Sequence, residues 1–432
     1  MRARLSTTFQ SLTVRNYRLF ASGQLVKLIG VWMMYIAQDW LVLELSNDSA
    51  TALGIVTALQ FIPVMVLTLY AGKLADRFDK RKLLIFSNGA WAGLAIVQAV
   101  LVATGSIELW MIMIFALLLG VAQAIETPVR QSFVSELVGK TLLPNALSLS
   151  AATFQTARIT GPALAGVAIA GLGTGPVFLI ATVLAVAPVF AQIRMDPLAL
   201  HRGRPTPKQD AKIVDGLRYV RQRHDLLLPM VTIAVIAMFG YNFQLTLALL
   251  AKTVFNTDAA TFGLFNTALA VGALGGALAG TWRRSRPSVY LFLWAAIGFG
   301  VLAVMVGLAD SVWLALLLLV PTGFSTVFLG QAANQRIQLG VEGAYRGRVM
   351  ALYVLIFMGT APVGSMVISW IAETFGAQAS IWLGGAVSLA AAVAALVWQL
   401  RHSGEKLSFE IRPIPKVRVV ESVVERDKVL VT

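Results

Sequence analysis

Long apolar runs alternate with short polar breaks along most of the chain. Runs of spanning length fall near 19–43, 51–71, 83–104, 109–129, 146–170, 176–193, 227–251, 260–281, 289–308, 313–335, 348–371 and 378–400. Each approximates the ~20 apolar residues that cross a bilayer as a helix. The pattern predicts an all-α membrane protein with twelve transmembrane helices. The first run follows Arg2, Arg4, Arg15 and Arg18 and is too long for the apolar core of a cleaved leader, so it reads as a retained first helix.

The polar breaks alternate in charge. One set holds Arg77, Lys80, Arg81 and Lys82, then Arg130 and Lys140, then Arg283, Arg284 and Arg286, then Arg346 and Arg348. The other holds Glu44, Asp48, Glu108, Asp258, Asp310 and Glu373, with Lys252 as its one base. Basic connections stay in the cytoplasm, which puts both termini there. The longest break lies between the sixth and seventh runs and divides the chain into a six-helix half (1–193), a linker (194–226), a second half (227–400) and a tail (401–432). Within the linker, Ile213, Leu217 and Val220 recur at helical spacing beside four bases. This suits either a helix lying on the inner membrane surface or a solvated linker helix. The tail has no clear fold.

Composition agrees: 57% of residues are hydrophobic and 13% charged, outside the range of soluble domains. The formal charge of +14 would suggest nucleic acid, but the bases sit in short clusters between apolar runs and form no basic domain. The expected partner is therefore the lipid bilayer, not nucleic acid. With no cysteine, disulfides and thiolate metal sites are excluded. No metal-ligand set or nucleophile–base pair appears, so neither a cofactor nor an enzyme is expected. "VGKT" at 138–141 lacks the earlier glycine of a phosphate loop, having Val134 instead.

The halves echo each other. "GKLADRFDKRK" begins at Gly72 and "GALAGTWRRSR" at Gly276. "ITGPALAG" and "GTAPVG" place Pro162 and Pro362 in the fifth and eleventh runs. Repeated six-helix units are a transporter architecture with the site between them. The stretch from Gly72 to Lys82 resembles the signature of the major facilitator superfamily between helices two and three, with Asp79 in place of its second glycine. "VRNYRLFASGQLVKLIG", "AQDWLVLEL" and "ARITGPALAG" resemble the branch of the enterobactin exporter and related bacterial drug exporters.

The resemblance implies a cytoplasmic latch in which Asp76 meets the start of helix eleven near Arg346 and Arg348, supported by Gly72, Arg77, Arg81 and Glu126. A carboxylate at a helix N-terminus gains roughly 0.3–1 kcal/mol. Glu126 lies four before Arg130, so it could equally form a local pair. Charges inside apolar runs usually face a cavity or a partner. Lys27 could snorkel or face a cavity. Asp39 shares a helical face with Trp32 and Tyr35 and is a candidate coupling group or an interfacial acid. Arg158, deeper, suits a structural partner or an anionic substrate. Gly161, Pro162 and Gly166 resemble the antiporter kink of helix five, against which Gly272, Gly276 and Gly280 of helix eight would let the backbone approach; a packing kink reads equally.

The expected function is a secondary transporter of the bacterial inner membrane, a monomer that exports small amphipathic compounds such as drugs or siderophores in exchange for protons. A uniporter or importer of the same fold and a nontransporting scaffold are the alternatives.

Overall fold

The computed structural model describes residues 9–201, 213–281, 286–342, 345–403, 405–410 and 416–421. The side chains of a few helical residues, Gly72 and Asp76 among them, lie outside the described residues.

A 3-10 turn, Gln10–Thr13, leads into α1 (Arg15–Leu45), α2 (Ala50–Arg77) and α3 (Lys80–Ala103). The helix 109–172 is one element except at Gly139, whose φ of 68° breaks it into α4 (109–138) and α5 (140–172). Only glycine takes that conformation without strain. α6 (Thr174–Ile193) follows Gly173, at φ 83° for the same reason. α7 (Ile213–Arg221) is short. α8 (His224–Val254) is interrupted near Gly240–Asn242 and ends in a π-helical turn, Leu250–Val254. α9 (Ala259–Thr281), α10 (Val289–Gly307), α11 (Val312–Gly340), α12 (Arg346–Phe375) and α13 (Ala377–Ser403) complete the bundle.

Eleven segments are long and apolar enough to cross a membrane. The twelfth bundle helix, α5, falls short only because Gln155, Thr156, Arg158 and Thr160 dilute its apolar run. The tail, in which no clear fold could be read, pairs Glu405–Glu410 with Lys416–Glu421 as an antiparallel hairpin (β1, β2).

Side-chain caps define several helix starts. Ser49, Ser288 and Ser311 each accept a hydrogen bond from the backbone N–H three residues on. Asp79 does the same for α3, accepting from Lys82 N at 3.0 Å. This gives the departure from the superfamily signature a physical reason: an acidic N-cap stands where a glycine would only turn. On the same face Arg81 donates to the carbonyls of Gln192 and Ile193, both at 2.8 Å, capping the C-terminal end of α6.

Helices α1–α6 pack mainly on one another, and so do α8–α13. The two groups meet chiefly through α2 against α12 and α5 against α9. α7 lies against the start of α12: Tyr219 stacks on Tyr345 at 4.4 Å, and Gly216 sits on the Arg348 backbone. Arg223 follows α7 and is bound by Asp225 (2.9 Å), whose carboxylate holds the guanidinium above its ordinary pKa. Asp225 also takes Arg286 at 2.7 Å.

The glycines of α9 depart from expectation. Gly272, Gly276 and Gly280 face α11, against Val320, Phe324 and Gln331, and do not face α5. The α5–α9 approach is made by Gly166 and Gly263; a Cβ on Gly263 would stand 2.6 Å from the Pro162 carbonyl oxygen.

Candidate functional site

A cavity of about 830 Å³ lies between the two six-helix groups. Trp32, Arg158 and Pro162 line it from α1 and α5. Tyr241, Gln335 and Tyr353 face them from α8, α11 and α12.

The face away from the termini is closed. Lys252 Nζ meets Asp48 Oδ1 at 2.7 Å. Glu373 accepts from Thr51 N at 3.0 Å, and Ser365 Oγ donates to the Gly54 carbonyl at 3.3 Å. Gln244, just past the interruption of α8, donates to Asp39 Oδ2 at 2.9 Å. On the terminal face, by contrast, the cavity wall continues to Gly280 and Gln338 at the ends of α9 and α11. The cavity therefore opens toward the face that carries the termini.

The charged residues expected inside the membrane separate into distinct environments. Lys27 is 2% exposed and is not among the residues that line this cavity. It does not snorkel: its Nζ pairs with Glu126 Oε1 at 3.0 Å and donates to Asn88 Oδ1 at 2.7 Å. Glu126 also takes Arg130 at 3.1 Å and Gln24 at 3.1 Å. Asn88 continues to Gln192 at 3.3 Å. This cluster ties α1, α3, α4 and α6 together. An isolated charge at that depth costs about 2.5–3.5 kcal/mol on insertion scales, so pairing is the expected resolution.

The expectation that Glu126 joins Arg77 and Arg81 is corrected accordingly, since Glu126 is claimed by Lys27 and Arg130. Arg81 is occupied at the end of α6, while Arg77 and Arg346 are exposed. Arg348 is half-buried beneath α7, with its guanidinium 5.5 Å from the Tyr345 ring. Gly72 and the Asp76 side chain lie outside the described residues.

Asp39 is 1% exposed and faces Gln244 across the closed side. Trp32 reaches the cavity, and Tyr35 meets it edge-on at 5.8 Å. Gly161 packs on Trp32, and Pro162 lies within α5, as a kink would place it.

Arg158 lines the cavity, its guanidinium 5.9 Å from the Trp32 ring centre. None of the described lining residues is Asp or Glu.

A second feature escaped sequence reasoning. Gln331, Asn334, Gln335 and Gln338 all line the cavity from α11. Their spacing of i, i+3, i+4 and i+7 is one helical face. That amide stripe inside an apolar run was the available signal. The Oε1 atoms of Gln331 and Gln335 are buried without a hydrogen-bond partner among the described residues. The cavity tyrosines are already committed: Tyr241 Oη donates to the Thr326 carbonyl at 3.0 Å and Tyr353 Oη to the Gly330 carbonyl at 3.2 Å.

Comparison with known proteins bears on what such a cavity serves. The family model described as transmembrane secretion effector matches residues 6–432. The Staphyloferrin A transporter of Staphylococcus aureus is 24% identical over 372 residues, covering 83% of this chain and 90% of the relative. Macrolide efflux protein A of Streptococcus pyogenes is 22% identical over 391 residues, covering 89% and 96%. Among solved structures, a bacterial homologue of the iron transporter ferroportin in its inward-facing state superposes with a TM-score of 0.69 at 16% identity, covering 89% of this chain and 98% of that one. With a whole-chain family match and a bundle of this architecture, the chain belongs to the transmembrane secretion effector family of major facilitator transporters.

Proposed function

We propose that the protein exports small amphipathic compounds across a bacterial plasma membrane in exchange for protons, by alternating access, with both termini in the cytoplasm. The observation that carries this reading is the hydrogen bond from Gln244 to Asp39. It joins an ionisable group on α1 to the interruption of α8 across the closed face. Opening that face must separate the two, so the proton on Asp39 and the state of the gate are linked. The basic clusters near Arg81 and Arg286 support a cytoplasmic terminal face, because basic connections are retained inside. The efflux and siderophore relatives support export of amphipathic cargo.

The two helix groups would rock about the cavity, as in repeat-built transporters. The structure has its terminal face open. The latch read from Gly72, Asp76 and the start of α12 belongs to the opposite state, in which that face closes.

The test is flux in proteoliposomes under an imposed pH gradient, with a transported fluorescent amphiphile. Wild-type protein concentrates it. Asp39→Asn keeps a hydrogen-bonding partner for Gln244, so it equilibrates the compound without concentrating it. Accumulation by Asp39→Asn at the wild-type level removes Asp39 from coupling. Wild-type accumulation that survives collapse of the gradient overturns proton exchange.

A further inference from the structure

Three bases in the membrane helices sit on carboxylates. Lys27 and Arg130 share Glu126, and Lys252 takes Asp48. Arg336 donates instead to the Pro287 carbonyl at 2.8 Å. Arg158 has neither kind of partner recorded. It faces the cavity, its one recorded contact is Trp32, and the described lining supplies no acid. A guanidinium cannot shed its charge as an amine can, so a partner must come from the cavity. Trp32 does not neutralise it: a cation–π contact is worth about 0.5–2 kcal/mol and carries no charge.

Across the cavity, the Gln331 and Gln335 carbonyl oxygens are buried with no hydrogen-bond partner among the described residues, and Gln331 turns its oxygen to Gly280, so neither presents an acceptor to the open volume. An unmet buried acceptor costs about 1–3 kcal/mol. The nearby tyrosine hydroxyls cannot serve, being bound to the Thr326 and Gly330 carbonyls. The Arg158 wall thus lacks an anion, and the amide wall opposite supplies none. The surfaces between are aromatic and apolar, including Phe61, Phe243 and Phe357.

We propose that the cavity takes an anionic amphipath, its carboxylate on Arg158 and its ring or chain on the aromatic surface. This rests on the transport reading and narrows its cargo. A cationic ligand meets an uncompensated guanidinium, and the Trp32 face that would otherwise cradle it is occupied by Arg158. Asp39 is not among the lining residues; the lining residue Gln244 stands between it and the cavity and donates to its carboxylate.

The test uses three probes on the full chain in nanodiscs, read by fluorescence titration: 3-hydroxy-2-naphthoate, its uncharged carboxamide, and cationic ethidium. The hydroxy acid should bind about 10-fold tighter than its carboxamide, a difference of ~1.4 kcal/mol. Arg158→Gln should erase that preference while leaving carboxamide affinity unchanged. Arg158→Lys should keep it in part.

Equal or tighter wild-type binding of the carboxamide or of ethidium overturns the proposal, as does an acid preference that survives Arg158→Gln. If Arg158→Gln loses carboxamide binding too, Arg158→Lys decides: retained acid preference supports the proposal and lost preference overturns it. Flux separates this from the parent reading. The binding pattern without gradient-driven flux of the hydroxy acid sinks transport and leaves the ligand class standing. Ethidium flux without acid preference does the reverse.

Discussion

The interior of α1–α6 and the α11 wall of the cavity both carry amides deep in the bundle, yet the two sets are in opposite condition. Gln24 and Asn88 hydrogen-bond inside a cluster that also pairs Lys27, Glu126 and Arg130. Gln331 and Gln335 line the cavity yet keep buried oxygens with no hydrogen-bond partner among the described residues. The first set closes a structure. The second leaves its count open. Polarity inside a membrane protein therefore does not mark function by itself; what matters is whether the hydrogen-bond count already balances.

The largest effect should come from breaking the closed set. Glu126→Gln leaves Lys27 and Arg130 without a counter-charge, and removing one member of a buried ion pair costs about 3–5 kcal/mol. Thermal unfolding in detergent should show a large drop in midpoint, partly recovered when Lys27→Met and Glu126→Met are combined. A Glu126→Gln midpoint matching wild type would dissolve the distinction between the two regions.

The same substitution made in each region gives the next test. Asn88→Leu takes away an acceptor of Lys27 and should destabilise by about 1–3 kcal/mol. Gln335→Leu removes an oxygen that no donor fills, so stability should hold or rise by up to ~1 kcal/mol. Parallel melting curves are enough, and equal losses would contradict the assignment of roles.

The smallest effect is expected at the rim of the closed face. Lys252→Ala deletes a partly exposed pair, worth roughly 0.2–1 kcal/mol. It should shift the balance toward opening of that face by no more than about five-fold. Spin labels at Asn47 and Thr374, both exposed, report the separation. A complete shift would promote the pair from rim contact to principal latch.

These contrasts explain what could be read in the one-dimensional pattern. Helix number and the place of Arg158 were legible, because an apolar run of spanning length and a lone base within it are local signals. The Lys27–Glu126 pair was not, since its members belong to different helices and only the packing of α1 on α4 joins them. Glu126 was set beside Arg77 and Arg81 by resemblance, because similar transporters place an acid there. Arg81 instead serves the carbonyl end of α6, a demand created only when that helix terminates nearby. The α11 stripe was overlooked for another reason. Amides lower an apolar run little, so a scan for charge passes over them although their helical spacing is plain. The glycines of α9 were assigned to the wrong neighbour because spacing says that a close approach is possible but not with which helix.

Where the closed face comes together through Gly54, Gly166 and Gly263, main chain lies against main chain or a serine side chain. Nothing can be added there without parting the helices. The cavity wall is less constrained, because Arg158 and the amide stripe border open volume. Heritable change is thus steered unevenly across the molecule: cargo preference can drift through exchanges at Arg158 or along the amide stripe, while the closing surface admits almost no variation in size. A scaffold divided in this way can diversify what it carries while keeping the motion that carries it.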